Sequence, residues 1–145
     1  MTRRFGKSPD TARRYRSRPG VYAILPRGRD MLLTFQAGRF NELQLPGGGI
    51  DPGEQPLAAL HREVREETGW SIRAPRRVGA FRRFTFMPEY DLWAEKICTI
   101  YLAYPVRRLG NPTEPDHIDV WSSPTLAAQR LHNEGDRHFV RRLLL

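Results

Sequence analysis

Residues 45–70 read LPGGGIDPGEQPLAALHREVREETGW, a glycine-rich loop that continues directly into a helical pattern. Pro56 is typical of a first helical turn, and Gly69 is typical of the left-handed residue that follows a helix. These two residues predict a helix over Pro56–Thr68. The glycine-rich loop and this helix therefore form one continuous segment of the chain.

The helical pattern carries two kinds of face. Apolar residues at positions i, i+3 and i+7 predict the stripe that faces the core: Leu57, Leu60 and Val64. Glu63, Glu66 and Glu67 share a separate face, although like charges four residues apart cost roughly 0.2–0.5 kcal/mol. The helix macrodipole also disfavours anions near this end of a helix. Helix stability alone therefore does not account for the three glutamates.

The acidic face and the loop before it favour a site for metal and phosphate. Clustered carboxylates without a neighbouring Cys or His cluster favour a hard cation, Mg²⁺ or Mn²⁺. A solvated acidic surface is the structural alternative. The consecutive glycines 47–49 favour the site, because they let backbone groups approach a phosphate or a metal closely.

The segment from Gly48 to Trp70 resembles the Nudix box, Gly-x5-Glu-x7-Arg-Glu-U-x-Glu-Glu-x-Gly-U, in which U is a bulky aliphatic residue. The matching residues are Gly48, Glu54, Arg62, Glu63, Val64, Glu66, Glu67 and Gly69. Trp70 departs from the pattern and is interpreted as a packing variation. The resemblance implies an α+β Nudix fold over about residues 20–145, an α/β/α sandwich with a mixed sheet between helices. It also implies hydrolysis of a pyrophosphate linkage.

The resemblance further implies roles for individual positions. The implied metal ligands are Glu66, Glu67, Glu63 and the backbone carbonyl of Gly47. Glu63 is also a candidate base, oriented by Arg62, while Glu54 would tether the loop to the helix or act as an outer ligand. Many family members add a carboxylate from a later loop, for which we choose Glu114 over its competitors Glu89, Asp91 and Glu95.

The substrate is less well defined by the sequence. We expect Gly48, Gly49 and Glu54 to contact it. Aromatic residues that could stack on a base are Phe35, Phe84, Phe86 and Tyr90, of which we retain Tyr90, although aromatic residues in strands are more often core. His117, near Glu114, is a further candidate for a substrate contact.

The remaining chain alternates strand and helix patterns. Strands are predicted at Gly20–Leu25, Met31–Phe35, Val78–Phe86, Lys96–Tyr104 and Ile118–Trp121, the first two forming a hairpin. Two closing helices are predicted, one at Pro124–Leu131 and one with Asp136 as its N-cap. We interpret Cys98, the single cysteine, as a small core residue.

The net charge of +8 is concentrated at the N-terminus. Residues 1–18 contain seven basic residues and one acidic residue, so we divide the chain into a basic arm, 1–18, and a Nudix domain, 19–145. We expect a flexible, solvated extension. The alternative is an arm that contacts RNA phosphates.

Three functions remain open. The first is hydrolysis of a small nucleoside diphosphate derivative: a nucleoside triphosphate, a dinucleoside polyphosphate or a nucleotide sugar. The second is a pyrophosphohydrolase of RNA 5′ ends, and the third is a nucleotide-binding module without turnover. No apolar run approaches the roughly 20 residues of a membrane span, and no apolar stretch follows the basic start, so we expect no membrane partner and a cytoplasmic location.

Overall fold

The computed structural model describes residues 2–145, in which a mixed β-sheet lies between helices. Its strands are β1 (Arg16–Arg27), β2 (Asp30–Gln36), β3 (Glu42–Gln44), β4 (Gly47–Gly49), β5 (Trp70–Met87), β6 (Leu92–Arg108) and β7 (His117–Ser122). The helices are α1 (Pro56–Thr68), α2 (Pro124–Arg130) and α3 (Glu134–Leu144). The sheet runs in the order β3-β2-β1-β6-β5, with β4 paired to β1 and β7 paired to β2.

Strand β1 is the centre of the sheet. Its residues Arg16–Ile24 pair in parallel with β6, whereas Leu25–Arg27 pair antiparallel with β2 and form the predicted hairpin. The glycine strand β4 pairs antiparallel with the middle of β1. The glycine loop is thereby held against the sheet, at the start of the connection to α1.

Alternate residues of β1 face two separate cores, as a strand's period of two requires. Val21, Ala23 and Leu25 pack with Leu60 and Val64 of α1. Ile24 faces the other side, in a cluster with residues of α2 and α3, among them Ala127, Ala128, Phe139 and Val140. The predicted α/β/α sandwich with a mixed sheet is therefore confirmed.

The buried face of α1 differs from the predicted stripe. Leu57 is 44% exposed, whereas Leu60 and Val64 are fully buried and Glu67 is 7% exposed. At 100° per residue Leu57 lies on the same side as the buried Val64 and Thr68, so its angular position does not explain its exposure. The prediction for Leu57 was wrong because the residue lies in the first turn of the helix, before the part of α1 that packs on the core.

Helix α3 begins two residues before the predicted cap. The side chain of Asn133 accepts a hydrogen bond from the backbone N–H of Asp136 at 2.7 Å and is the N-cap. Asp136 lies within the first helical turn and is only 3% exposed. The prediction of Asp136 as the N-cap was wrong because Asn133 is an equally favourable capping residue.

The β5–β6 hairpin is longer than predicted at both ends. The pairing continues through register shifts between Trp70 and Ile72, between Arg73 and Arg76, and between Arg77 and Gly79. Pro75 and the neighbouring arginines obscure the strand pattern in the sequence, and the bulges accommodate them.

The N-terminal segment packs against the sheet. Phe5 is 6% exposed and joins the core cluster next to Phe81, and backbone hydrogen bonds connect it and Arg3 to Arg82. Arg16 and Arg18 belong to β1. The expectation of a flexible, solvated extension is therefore wrong for Phe5, which packs in the core, and for the residues that belong to β1, whereas residues 6–14 are exposed. No helix within residues 2–145 has the length and apolarity to cross a membrane.

Candidate functional site

Arg62 connects the glycine loop to the acidic side of α1. Its guanidinium donates two hydrogen bonds to the Glu54 carboxylate, at 2.8 and 2.9 Å. It also donates to Glu63 at 3.0 Å and to Glu66 at 3.2 Å. This pairing and the backbone N–H of Asp51 lower the pKa of Glu54 to about 2. Glu54 therefore fastens the loop to the helix as a permanent anion.

Glu63 lies below the glycine loop in a partly desolvated position. Burial raises its pKa to about 7, against the opposing effect of Arg62, and the charges of Glu66 and Glu114 add to the increase. The approach is close, because a Cβ on Gly48 would lie 2.5 Å from the Glu63 carboxyl carbon. Only glycine at position 48 leaves room for this carboxylate.

Glu67 is the most buried of the three glutamates. One of its carboxylate oxygens accepts a hydrogen bond from the backbone N–H of Gly47 at 3.0 Å. The other lies 3.6 Å from His117 Nε2, and His117 Nδ1 lies 2.8 Å from the Thr34 hydroxyl. Burial raises the pKa of Glu67 well above its usual value. Thr34 and His117 thus position Glu67. The sequence analysis named His117 but did not identify Thr34.

The Glu66 carboxylate lies beside that of Glu63, because both accept a hydrogen bond from the same Arg62 nitrogen, Nη1. Glu63 and Glu67 line a cleft of about 1240 Å³, whereas Glu66 lies in a smaller depression with Arg65 and Gly69. The backbone carbonyl of Glu66 accepts hydrogen bonds from Thr113 and Glu114, both at 2.9 Å. The end of α1 therefore holds the loop that carries Glu114.

The structure distinguishes among the four candidates for the additional carboxylate from a loop after α1. Glu114 lines the cleft, and its charge raises the pKa values of Glu63 and Glu67. Glu89 also lines the cleft, at its rim. Glu95 forms an ion pair with Arg82 at 3.2 Å, and Asp91 lies in the exposed turn between β5 and β6. Glu114 stays the best-placed candidate.

The predicted substrate contacts surround the same cleft. Gly47, Gly48, Gly49, Glu54 and Tyr90 all line it, and Tyr90 is 56% exposed. The Arg18 guanidinium lies 4.7 Å from the centre of the Tyr90 ring. Of the other aromatic candidates, Phe86 also lines the cleft.

The carboxylates of Glu63, Glu66 and Glu67 are donors that suit a hard divalent cation, although they are not arranged as a complete set of metal ligands. Among residues 2–145, no three His, Cys, Asp or Glu side chains are already grouped as metal ligands. Arg62 spans Glu63 and Glu66 instead. Burial raises the pKa values of Glu63 and Glu67, so a cation beside them would favour their ionised form. Oxygen donors of this kind suit Mg²⁺ or Mn²⁺.

Sequence reasoning missed a polar group on the floor of the cleft. Arg83, Lys96 and Asp136 line it, together with Tyr22. Arg83 and Lys96 lie directly opposite each other on β5 and β6. The only available signal was the presence of charged residues within strand patterns, which did not indicate that the two strands are neighbours.

Comparison with known proteins identifies the family to which this chain is similar. The NUDIX domain model matches residues 15–143. A Bacillus subtilis (strain 168) protein that carries the name of an 8-oxo-dGTP diphosphatase is 41% identical over 74 residues, 51% of this chain and 50% of that protein. An RNA pyrophosphohydrolase of Helicobacter pylori is 42% identical over 57 residues, 36% of this chain and 37% of that protein. The matches thus span half or less of these relatives.

Solved structures share the fold at low sequence identity. A NUDIX hydrolase from Nitrosomonas europaea has a TM-score of 0.70 and 19% identity, covering 88% of this chain and 87% of that chain. A MutT protein from Bacillus halodurans has a TM-score of 0.69 and 22% identity, covering 86% and 80%. Family members generally use divalent metals such as Mg²⁺. The match over residues 15–143, the box at Gly48–Trp70 and the shared fold together show that this chain belongs to the Nudix family.

Proposed function

We propose that this protein hydrolyses a pyrophosphate linkage in a small nucleoside diphosphate derivative, with Mg²⁺ or Mn²⁺. The observation that carries the proposal is a group of three glutamates at the end of α1, of which Glu63 and Glu67 line a large cleft beside the glycine loop. Arg62 holds Glu63 and the adjacent Glu66, and the backbone N–H of Gly47 holds Glu67. A nucleoside triphosphate, a dinucleoside polyphosphate and a nucleotide sugar all carry the required linkage.

The residues of the chain divide the work in this proposal. Glu66, Glu67, Glu63 and the Gly47 carbonyl would hold the cation, which when bound neutralises the diphosphate and lowers the pKa of water. Glu63 is suited to accept the proton of the attacking water, because its pKa of about 7 lies near neutral pH. Glu114 is the second candidate for this role. Arg62 orients Glu63 through the 3.0 Å hydrogen bond.

A substrate panel tests the proposal most broadly. The full-length protein would be incubated with nucleoside triphosphates, 8-oxo-dGTP, dinucleoside polyphosphates and nucleotide sugars, with Mg²⁺ and with Mn²⁺. Released phosphate and pyrophosphate would be measured separately. We expect turnover of at least one class that stops when the metal is chelated. Metal-independent turnover, or none on any substrate, would contradict the proposal, and binding without turnover would favour the non-catalytic module.

Hydrolysis of RNA 5′ ends is the second candidate. It is favoured by the basic residues at the cleft rim, where Arg18 lies against Tyr90, and by the relative named as an RNA pyrophosphohydrolase. Aromatic and arginine side chains at a cleft mouth can bind a single strand by stacking and charge. RNA carrying a 5′-triphosphate therefore belongs in the same panel. A kcat/KM for this RNA that exceeds those for all small nucleotides would make it the preferred function.

A further inference from the structure

Trp70 occupies the one position at which the chain departs from the Nudix box, and its ring does more than fill space. The ring packs edge to face against Trp121, with ring centroids 5.4 Å apart. Its indole N–H also donates a hydrogen bond of 3.3 Å to the carboxylate of Asp119, on β7. An aliphatic residue at position 70 would lose this bond, because only the indole supplies a donor. Packing alone therefore does not account for Trp70.

Asp119 connects Trp70 to Arg108. The Arg108 guanidinium donates from Nε and Nη2 to the two carboxylate oxygens of Asp119, at 2.9 and 3.1 Å. A bidentate pair of this kind fixes the orientation of both planar groups. Trp70 and Arg108 are themselves opposed in the pairing of β5 with β6. The Asp119 carboxylate therefore joins β7 to the first residue of β5 and the last residue of β6.

The same contacts hold both ends of the loop formed by residues 109–116, which carries Glu114. Arg108 directly precedes the loop, and Asp119 is the third residue of β7, which follows it. Arg108 Nη2 also donates to the side-chain oxygen of Asn111 at 3.2 Å, so the contact reaches the loop itself. We call these four residues the Trp70 network: Trp70, Arg108, Asn111 and Asp119.

The Trp70 network restrains a part of the loop that the backbone does not. The backbone N–H groups of residues 109, 113 and 114 donate to carbonyls at the end of α1 and in the residue after it. Within residues 2–145, the one hydrogen bond to the intervening segment 110–112 is that from Arg108 to Asn111. A loosened Arg108 would leave this segment without a polar attachment, and Glu114 follows it by two residues.

We infer that Trp70 is a positioning residue that holds Glu114 in place through Asp119 and Arg108. The indole N–H fixes the Asp119 carboxylate, the carboxylate orients Arg108, and Arg108 restrains the segment before Glu114. A misplacement of about 1 Å at a reacting group lowers a rate by up to about a hundredfold, so a partial loss of this restraint is measurable. The inference rests on the proposed function, in which Glu114 is a candidate base.

Trp70→Phe tests the inference because it keeps an aromatic ring but removes the N–H donor. We expect kcat on the best nucleotide from the panel, with Mg²⁺, to fall about threefold to tenfold, whereas KM should change by less than about twofold. Trp121→Phe makes the same substitution in the packing partner and is the matched control, which should keep the parent kcat. Equal kcat values for the two variants would overturn the inference.

A second pair of variants changes the other end of the Trp70 network. Arg108→Gln removes the bidentate contact with Asp119, and Arg107→Gln changes the adjacent, exposed arginine as its control. Arg108→Gln should lower kcat to a similar extent, and it decides the question if Trp70→Phe does not fold. A parent kcat in Arg108→Gln would overturn the inference as well.

A double-mutant cycle shows whether Trp70 acts through Glu114. In the Glu114→Gln background no carboxylate remains to be positioned, so adding Trp70→Phe should lower kcat by less than about a further twofold. If the two substitutions instead multiply in full, Trp70 acts elsewhere and the inference is overturned.

Amide hydrogen exchange of the metal-free, full-length protein separates the inference from the proposed function. Trp70→Phe should increase exchange in residues 109–116 and leave α1 unchanged, and unchanged exchange in the loop would overturn the inference. If the unmodified protein hydrolyses nothing, the proposed function is rejected, and the exchange measurement still decides whether Trp70 holds the loop. If it hydrolyses nucleotides but Glu114→Gln keeps the parent kcat, the enzyme stands and the inference is overturned.

Discussion

The backbone N–H of Glu114 donates a hydrogen bond of 2.9 Å to the backbone carbonyl of Glu66. A residue of the loop between β6 and β7 is thereby fixed to the end of the helix that carries the acidic cluster. The adjacent N–H of Thr113 donates to the same oxygen, so the attachment has two points. Because the backbone rather than the side chains makes these bonds, they engage neither carboxylate, and that of Glu66 is paired with Arg62 at 3.2 Å.

This attachment predicts that Glu114 contributes to catalysis more than Glu89 does. Glu114→Gln should lower kcat by about tenfold or more, since a carboxylate next to Glu63 and Glu67 is lost. Glu89→Gln removes the same charge from the rim of the same cleft and is the matched control. Measurement of kcat for both variants at saturating Mg²⁺ checks the prediction. A larger loss of kcat in Glu89→Gln than in Glu114→Gln would assign the additional catalytic carboxylate to Glu89, in the β5–β6 turn.

The close approach of Gly48 to Glu63 predicts a steric effect on activity. In Gly48→Ala the new methyl group would overlap the Glu63 carboxyl, so the carboxylate must move from its position under the loop. We expect a loss of kcat of about a hundredfold with a smaller effect on Tm. Gly110→Ala is the control, since a Cβ at that position would meet no atom within 4 Å. Equal activities of the two variants would contradict the placement of Glu63.

The raised pKa values of Glu63 and Glu67 predict that metal stabilises the protein in a pH-dependent way. Burial raises the pKa of Glu63 from 4.5 to about 7, so the metal-free fold binds a proton more tightly than the unfolded chain does. The resulting stability is fully present below about pH 4.5 and is lost as the pH rises through about 7. A cation that replaces the proton should therefore increase Tm more at pH 8 than at pH 5.

Thermal unfolding with and without millimolar Mg²⁺ at the two pH values provides the measurement. Ca²⁺-free buffer with EDTA serves as the metal-free reference. An increase in Tm that is equal at both pH values, or larger at pH 5, would contradict the assignment of these carboxylates as ligands.

The burial of Phe5 predicts that the N-terminal segment stabilises the domain. Phe5→Ala should lower the free energy of unfolding by about 3 kcal/mol, because the ring packs against Phe81 and is 6% exposed. Lys7→Ala, an exposed position in the same segment, should change it by less than about 0.5 kcal/mol. Denaturant unfolding of both variants checks this. Equal free energies of unfolding for the two variants would support the original expectation of a solvated extension.

The same packing predicts the result of a truncation. Removal of residues 1–18 deletes Phe5 and the first residues of β1, so activity should fall on small nucleotides and RNA alike. A loss confined to RNA would instead indicate a recruiting arm.

The sequence was most informative where the structure depends on local spacing. The bounds of α1 and the left-handed Gly69 follow from residues within one turn of each other, and both agree with the structure. The Arg62 ion pairs with Glu63 and Glu66 are likewise local. The family resemblance added the sandwich fold, which no local pattern specifies.

The sequence did not predict features that depend on packing between residues far apart in the chain. Phe5 and Glu67 are buried by elements far away in the chain, and hydropathy averages treat both as parts of polar segments. Arg83 and Lys96 become neighbours only through the pairing of β5 with β6, and Asp136 joins them only when α3 packs on that face. Charged residues on separate elements carry no sequence signal that they line the same cleft.

The kcat of Glu66→Gln with Mg²⁺ tests the central claim, metal-dependent hydrolysis at the acidic end of α1, most directly. The substrate would be the best nucleotide from the panel, and Glu134→Gln, at an exposed glutamate of α3, is the control. We predict a loss of kcat of about a hundredfold or more in Glu66→Gln, because one metal ligand loses its charge. We expect little change in Tm, because relief of the repulsion from Glu63 and Glu67 offsets the weakened pairing with Arg62. The control should keep the parent rate. Near-parent turnover by Glu66→Gln at saturating Mg²⁺ would contradict the account.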